Sequence, residues 1–143
     1  MSVREPANLR FAGFDFISTP LNPPLRILLV EDHIPTNQVF TRLLGADYTV
    51  HSAHTAAEAL ELAKAQPIDL VMADIGLPDQ TGWELLKEIR AVQPKVHAIA
   101  LTGYDYVEDA HRFSAAGFDM HLRKPAELAQ IKSAIKTLFP DRD

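Results

Sequence analysis

DLVMADIGLPDQTG, residues 69–82, sets an apolar run directly against an acid, Asp74, and follows it with Gly76, a Leu77-Pro78 pair and a turn-rich loop. A short apolar run bounded by turn signals reads as a strand buried on both faces. Behind the loop, Thr81 with Glu84 three residues on has the N-cap spacing of a helix. The unit is therefore strand, loop and helix. Asp74 stands at the end of the strand, and since Thr81 already supplies the cap, Asp74 is not needed for that task.

The same grammar repeats on either side. RILLV (26–30), YTVHS (48–52), VHAIAL (96–101) and FDMHL (118–122) have strand length and composition, the last most weakly. Between them, apolar residues recur at helical spacing: Val39, Phe40, Leu43 and Leu44 in one stripe, Leu85, Leu86 and Ile89 in another, Leu128, Ile131, Ile135 and Leu138 in a third. Thr55 with Glu58 and Asp105 with Glu108 repeat the N-cap spacing. Five strands alternating with five helices predict an α/β domain, its parallel sheet covered on both faces, because parallel strands need helical crossovers.

Composition bounds the rest. A chain of 143 residues that is 47% hydrophobic suffices for one domain with one core. A net charge of -5, with 14 basic residues among 19 acids, argues against direct nucleic-acid binding. With no cysteine there is no disulfide framework and no thiolate chemistry. No apolar window is long enough to span a membrane, and no signal peptide is evident, so a cytoplasmic protein without membrane contact is expected. Residues 1–24 hold four of the ten prolines, and read as an arm or linker. Phe11, Phe14, Phe16 and Ile17 leave two readings open, a loose tail or an arm docked on the domain or on a neighbouring chain. The expected division is arm 1–24, domain 25–140 and tail 141–143.

In an open parallel sheet, ligands bind outside the carboxyl ends of the strands. There the sequence sets Glu31 and Asp32 after the first strand, Asp74 after the third, Thr102 after the fourth, and Lys124 with Pro125 after the fifth. In the strand order 2-1-3-4-5 these converge on one rim. Three carboxylates together repel unless a cation is present. Mg2+, a hard ion that takes oxygen ligands and shares its shell with phosphate, is the natural occupant, with Mn2+ as the alternative. Asp32 and Asp74 are candidate direct ligands, Glu31 a water-mediated one and the Gly76 carbonyl a third. Lys124 and Thr102 suit a phosphoryl group beside the metal.

LLVEDH, LVMADIGLPDQTG, IALTGY and AAGFDMHLRKP, in that order at strand ends, resemble the receiver domain of two-component response regulators over about residues 26–138. The resemblance implies a flavodoxin-like (βα)5 three-layer sandwich. It implies that Asp74 accepts a phosphoryl group from the phosphohistidine of a histidine kinase or phosphotransfer protein, making the chain a signalling phosphoacceptor that assists its own phosphorylation and dephosphorylation rather than a conventional enzyme. It also implies that Thr102 is a switch residue and Gly103 a small neighbour leaving room for the phosphoryl. Lys124 would be a phosphoryl-binding cation, preceding a cis Pro125. A downstream partner is expected on the surface of the fourth helix, fifth strand and fifth helix, and a homodimer is left open.

Two departures from the family pattern matter. His121 stands where receivers often carry a switch Phe or Tyr. Gly76 and Tyr104 occupy positions that tune the lifetime of the acyl phosphate, Gly76 without a side chain to assist hydrolysis and Tyr104 as a shield; a moderately long-lived state is expected. The chain ends in PDRD just past the last helical stripe, so a stand-alone receiver or one excised from a hybrid kinase is expected. The rival readings are a phosphorylation-independent interaction module, an aspartyl phosphohydrolase and a flavin protein. The first would have lost an acid or the lysine, the second wants an acid at Gly76, and the third wants a Ser/Thr/Gly-rich loop where EDHIPTN is acidic. His51 and His54 read as surface residues rather than ligands, and Trp83 as packing.

Overall fold

A buried apolar run cannot satisfy its own backbone polar groups, so each must find a neighbour. In the computed structural model, which describes residues 23–103 and 115–142, five such runs pair side by side: β1 (Arg26–Val30), β2 (Thr49–Ala53), β3 (Leu70–Asp74), β4 (His97–Thr102) and β5 (Met120–Arg123). Every pairing is parallel, and the order is β2-β1-β3-β4-β5. Four helices are described: α1 (Ile34–Leu44), α2 (Ala56–Ala65), α3 (Gly82–Val92) and the C-terminal helix α4 (Leu128–Leu138). The helix expected between β4 and β5 with its Asp105–Glu108 cap, Tyr104, and residues 1–22 of the expected arm lie outside the described residues.

Hydropathy misplaced four of the strands by one or two residues. Ladder pairing carries β3 through Asp74, opposite Leu101, and β4 through Thr102, opposite Arg123. The polar rim residues are thus the last residues of their strands, held by main-chain hydrogen bonds. Asp74 is fixed on the sheet itself; the apolar run does not stop short of it.

Side chains alternate across the sheet. Ile27, Leu29, Met72, Ile99 and Leu101 pack with α1 and the C-terminal helix. Leu28, Val30, Val71 and Ala73 pack with α2 and α3. β3 is buried along its whole length, as a central strand covered on both faces must be. Trp83 meets Phe118 edge-to-face at 5.9 Å, within a third apolar cluster around Ile75, Leu86 and Ala100, which accounts for it as packing.

The expected stripe of α1 is corrected. Leu44 is buried and Phe40 half-buried, but Val39 and Leu43 are exposed. The buried face runs through Asn37, Phe40, Thr41 and Leu44, the helical i, i+3, i+4, i+7 set, with a buried asparagine where an apolar residue would be the default. The other helix starts follow the sequence closely. Thr55 accepts the Glu58 N–H, and Thr81 with Glu84 forms a reciprocal capping box.

Candidate functional site

Parallel strands end on the same side, so the order β2-β1-β3-β4-β5 brings the ends of β1, β3, β4 and β5 side by side. Glu31 follows β1, Asp74 ends β3, Thr102 ends β4 and Lys124 follows β5. Glu31 is fully buried, and Asp74 and Thr102 nearly so, whereas Asp32 is exposed. Oxygens of Glu31, Asp32 and Asp74 all lie within 4.8 Å of one another. Lys124 Nζ sits 2.7 Å from Glu31 Oε1 and 3.0 Å from Asp74 Oδ2.

The backbone completes the cradle. The His33 N–H donates to Glu31 Oε2 (2.9 Å) and the Gly76 N–H to Asp74 Oδ1 (3.2 Å). The Lys124 N–H donates to the Thr102 carbonyl at 2.6 Å, tying β5's end to β4's. The Lys124–Pro125 peptide bond is cis, and the C-terminal helix begins only at Leu128, so Pro125 does not open it.

Burial lifts the Asp74 carboxyl above the usual carboxylate range; Lys124 offsets part of this, and the Glu31 charge adds to it. Burial alone would pull the Lys124 ammonium down, but hydrogen bonds and charge from Glu31 and Asp74 hold it above the ordinary lysine value. One cation faces two buried carboxylates and is the more strongly held for it. Desolvating charges costs several kcal/mol per ion, so a buried acid pair sharing one ammonium is a poor way to stabilise a sheet edge.

With Asp32 included, three carboxylates against one ammonium leave a charge of −2, which a divalent cation neutralises. Glu31 Oε1 is buried with the Lys124 ammonium at 2.7 Å as its partner, and the same ammonium also serves Asp74. An oxygen-only donor set in which one ammonium is shared between two buried carboxylates fits a hard cation. The acidic cluster can hold a metal ion, with Asp32 on its open side.

The two loop glycines differ from the one behind them. Among the described residues, a Cβ on Gly76 or Gly103 would meet nothing within 4 Å. Against those residues neither position requires glycine sterically. Gly82 does, since a Cβ would lie 2.6 Å from the Asp74 carbonyl oxygen and 3.1 Å from Ile75 Cα. Its N–H donates to the Ile75 carbonyl at 2.8 Å, so α3 starts in direct contact with the strand end that carries Asp74. His121 does not join the cluster; it is exposed on β5 opposite Ala100.

Two supporting residues were missed in the sequence. Asn37, 2% exposed, donates through Nδ2 to the carbonyls of Glu31 and Ala53, both at 3.1 Å, while its Oδ1 accepts the Thr41 hydroxyl. It clamps the ends of β1 and β2 to α1 beside the acidic pair. A polar residue on the core-facing spacing of α1 was its only sequence signal. Asp79, in the loop after β3, accepts the Ala56 and Ala57 N–H groups at 2.9 Å each. Those N–H bonds hold its carboxyl below the usual range and fasten the Asp74 loop to the start of α2, where a carboxylate is favourable. No local pattern signals a partner 22 or 23 residues away.

Residues 27–136 match the family model described as response regulator receiver domain. The chain is 31% identical over 129 residues to the sensor kinase CckA of Brucella abortus, covering 88% of this chain and 14% of that protein. It is 30% identical over 116 residues to the probable transcriptional regulatory protein SilR of Salmonella typhimurium, covering 80% of this chain. It thus spans about half the length of SilR (51%) and a much smaller share of the kinase. A CheY-like receiver domain structure from Methanospirillum hungatei superposes with a TM-score of 0.76 at 30% identity, covering 82% of this chain and 95% of that one. A response regulator from Burkholderia pseudomallei, solved with a phosphorylated aspartic acid, calcium ion and citrate, superposes with a TM-score of 0.72 at 30% identity, covering 79% and 67%.

Proposed function

The chain belongs to the response regulator receiver family, and from that premise we propose that it is a phosphoacceptor: Asp74 takes a phosphoryl group from the phosphohistidine of a histidine kinase or phosphotransfer protein. One Asp74 carboxylate oxygen forms the P–O bond as the P–N bond to the donor imidazole breaks. The electron pair returns to that nitrogen, which takes up a proton. Asp32, Asp74 and the Gly76 carbonyl would hold Mg2+ directly and Glu31 through water, with Mn2+ as the alternative. The bound ion supplies charge neutralisation for the phosphoryl oxygens.

The chain's own residues do the positioning. β3 holds Asp74 on a buried stem, so the nucleophile loses little entropy on reaction. Lys124, already at 3.0 Å from Asp74, is the cation for the charge that phosphorylation adds. Thr102, buried at the next strand end, turns its hydroxyl to the phosphoryl, with Gly103 leaving room, and that movement alters the surface around β5 and the C-terminal helix where a downstream partner binds. Gly76 and Tyr104 set the lifetime.

The observation that carries this reading is the under-neutralised charge set around buried Asp74. The phosphorylated aspartic acid and calcium ion in the 30% identical Burkholderia protein support it by analogy. Incubation with acetyl phosphate and Mg2+ followed by intact mass spectrometry tests it. One phosphoryl on the parent and none on Asp74→Asn is expected; no adduct, or equal adducts on both, would overturn it.

A further inference from the structure

Of the three groups that would hold Mg2+ directly, only the Gly76 carbonyl belongs to the main chain of a loop. Residue 76 has no side chain to anchor it, so its place is set by the chain on either side. On one side its N–H donates to Asp74 Oδ1 at 3.2 Å, at the long end of the hydrogen-bond range. On the other, Leu77 is 9% exposed and packs in the apolar cluster that also holds Ala56, at the start of α2. Gly76 and Thr81 pair in an antiparallel bridge that closes the loop on itself. The tip of the loop is fastened by Asp79, whose two carboxylate oxygens accept the Ala56 and Ala57 N–H groups at 2.9 Å each.

Helix α2 does not need that carboxylate in order to begin. Thr55 already accepts the Glu58 N–H, and the Ala59 N–H returns to the Thr55 carbonyl at 3.1 Å. Ala57 is exposed, so water would serve its N–H. Ala56 is 1% exposed; its N–H has no such recourse, and its bond to Asp79 is the harder to exchange for water. The pair of bonds therefore does more for the loop than for the helix. Asp79 stands three residues beyond Gly76, at most about 11 Å of chain, and Pro78 stiffens the path between them.

We propose that Asp79 is a positioning residue for the metal site: by fastening the loop tip to α2, it holds the Gly76 carbonyl where an ion takes it together with Asp32 and Asp74. The inference rests on the reading that Gly76 is a metal ligand. Mg2+ demands near-octahedral geometry, so a displaced carbonyl costs affinity. Groups that orient a ligand from outside the coordination shell change metal affinity by about 10- to 100-fold when removed.

A second tie separates positioning from general loosening of α2. Gln93, at the far end of α3, holds the other end of α2: its Nε2 donates to the Ala63 and Gln66 carbonyls at 2.6 and 2.7 Å, and its Oε1 accepts the Ile68 N–H at 2.8 Å. The 11 residues of α3, about 16 Å of helix, stand between it and the loop. Gln93→Ala thus loosens α2 without touching the rim.

The test measures Mg2+ dissociation constants by calorimetry in the parent, Asp79→Ala, Asp79→Asn and Gln93→Ala, each shown to be folded by circular dichroism. Gly76 amide exchange is followed by NMR in the same proteins without metal. Asp79→Ala should weaken Mg2+ binding and speed Gly76 exchange, each about tenfold. Asp79→Asn, which keeps one acceptor oxygen, should fall between Asp79→Ala and the parent, and Gln93→Ala should leave both readouts unchanged. An unmoved Mg2+ constant or unmoved Gly76 exchange in Asp79→Ala would overturn the proposal. So would equal Mg2+ losses in the Asn and Ala variants, which would assign the effect to charge alone, or an equal loss in Gln93→Ala, which would assign it to loosening of α2. Should Asp79→Ala fail to fold, Asp79→Asn decides alone, and parent values in both readouts would overturn the proposal. Failure of the parent to bind Mg2+ would sink the metal reading, while Gly76 exchange, read without metal, would still decide whether Asp79 holds the loop.

Discussion

Replacing Asn37 tests how the rim is held. Its amide donates two hydrogen bonds, to the Glu31 and Ala53 carbonyls, from a site 2% exposed. Ala53's carbonyl also accepts the Glu31 N–H at 3.0 Å and stays partnered, so the Glu31 carbonyl bears most of the loss. Two buried hydrogen bonds at about 1 kcal/mol each, plus about 1 kcal/mol for a desolvated carbonyl left unpaired, give a loss of about 3 kcal/mol for Asn37→Ala. With a urea m-value of about 1.5 kcal/mol/M, the midpoint should fall by about 2 M. Asn37→Asp separates hydrogen bonding from volume. It opens no cavity and keeps an acceptor for Thr41, yet turns a carboxylate toward two carbonyls, so it should cost at least as much. Urea unfolding followed by circular dichroism measures both. A loss below about 1 kcal/mol in Asn37→Ala, or an Asn37→Asp variant as stable as the parent, would refute the reasoning.

Gly82→Ala drives a methyl to 2.6 Å from the Asp74 carbonyl oxygen; the overpacking should cost about 1–3 kcal/mol in the same urea assay, and an unaffected midpoint would mean that α3 can back away from β3 freely. Asp69, paired with Arg26 through both carboxylate oxygens at 3.0 Å, has its pKa pushed up by burial but brought down further by Arg26, to below the ordinary 3.8. The folded value is depressed, so the stability this pair contributes is complete above the unfolded pKa and is lost as pH falls below about 3.8 through the folded value. Arg26→Ala should remove about 1 kcal/mol or less after solvent screening, and parent and variant urea midpoints should converge as the pH falls below that point; a gap that persists in acid would count against it. Mg2+ at about one hundred times its dissociation constant should add about 2.7 kcal/mol to the unfolding free energy and raise the urea midpoint accordingly. Chelation should reverse this and Asp32→Asn should weaken it, whereas equal Mg2+ response in parent and variant would remove Asp32 from the site.

The rim residues were legible because each is announced locally. Glu31, Asp32, Asp74, Thr102 and Lys124 each follow or end a short apolar run, and a parallel sheet turns that local regularity into a shared location. Strand ends were misjudged because hydropathy drops at Asp74 and Thr102 while the ladder continues through both. Val39 and Leu43 were read as core because apolar residues on a helix default to burial; which face of α1 meets the sheet is set by the crossover that delivers it. Asn37 and Asp79 were passed over because their partners are remote in sequence, and a side chain gives no local sign that it will bond to a distant main-chain group.

The sequence by itself determined the alternation of strands and helices, the helix starts at Thr55 and Thr81, and the family, since periodicity, capping and ordered motifs are properties of neighbouring residues. Only the tertiary structure decided which charges meet. Lys124 lies 50 residues from Asp74 along the chain yet 3.0 Å from it in space. One ammonium shared between two buried carboxylates, and the demand for a glycine at Gly82, arise from distances that no stretch of chain contains. They appear only when separate strands end on the same edge, where burial removes the water that would otherwise have screened them.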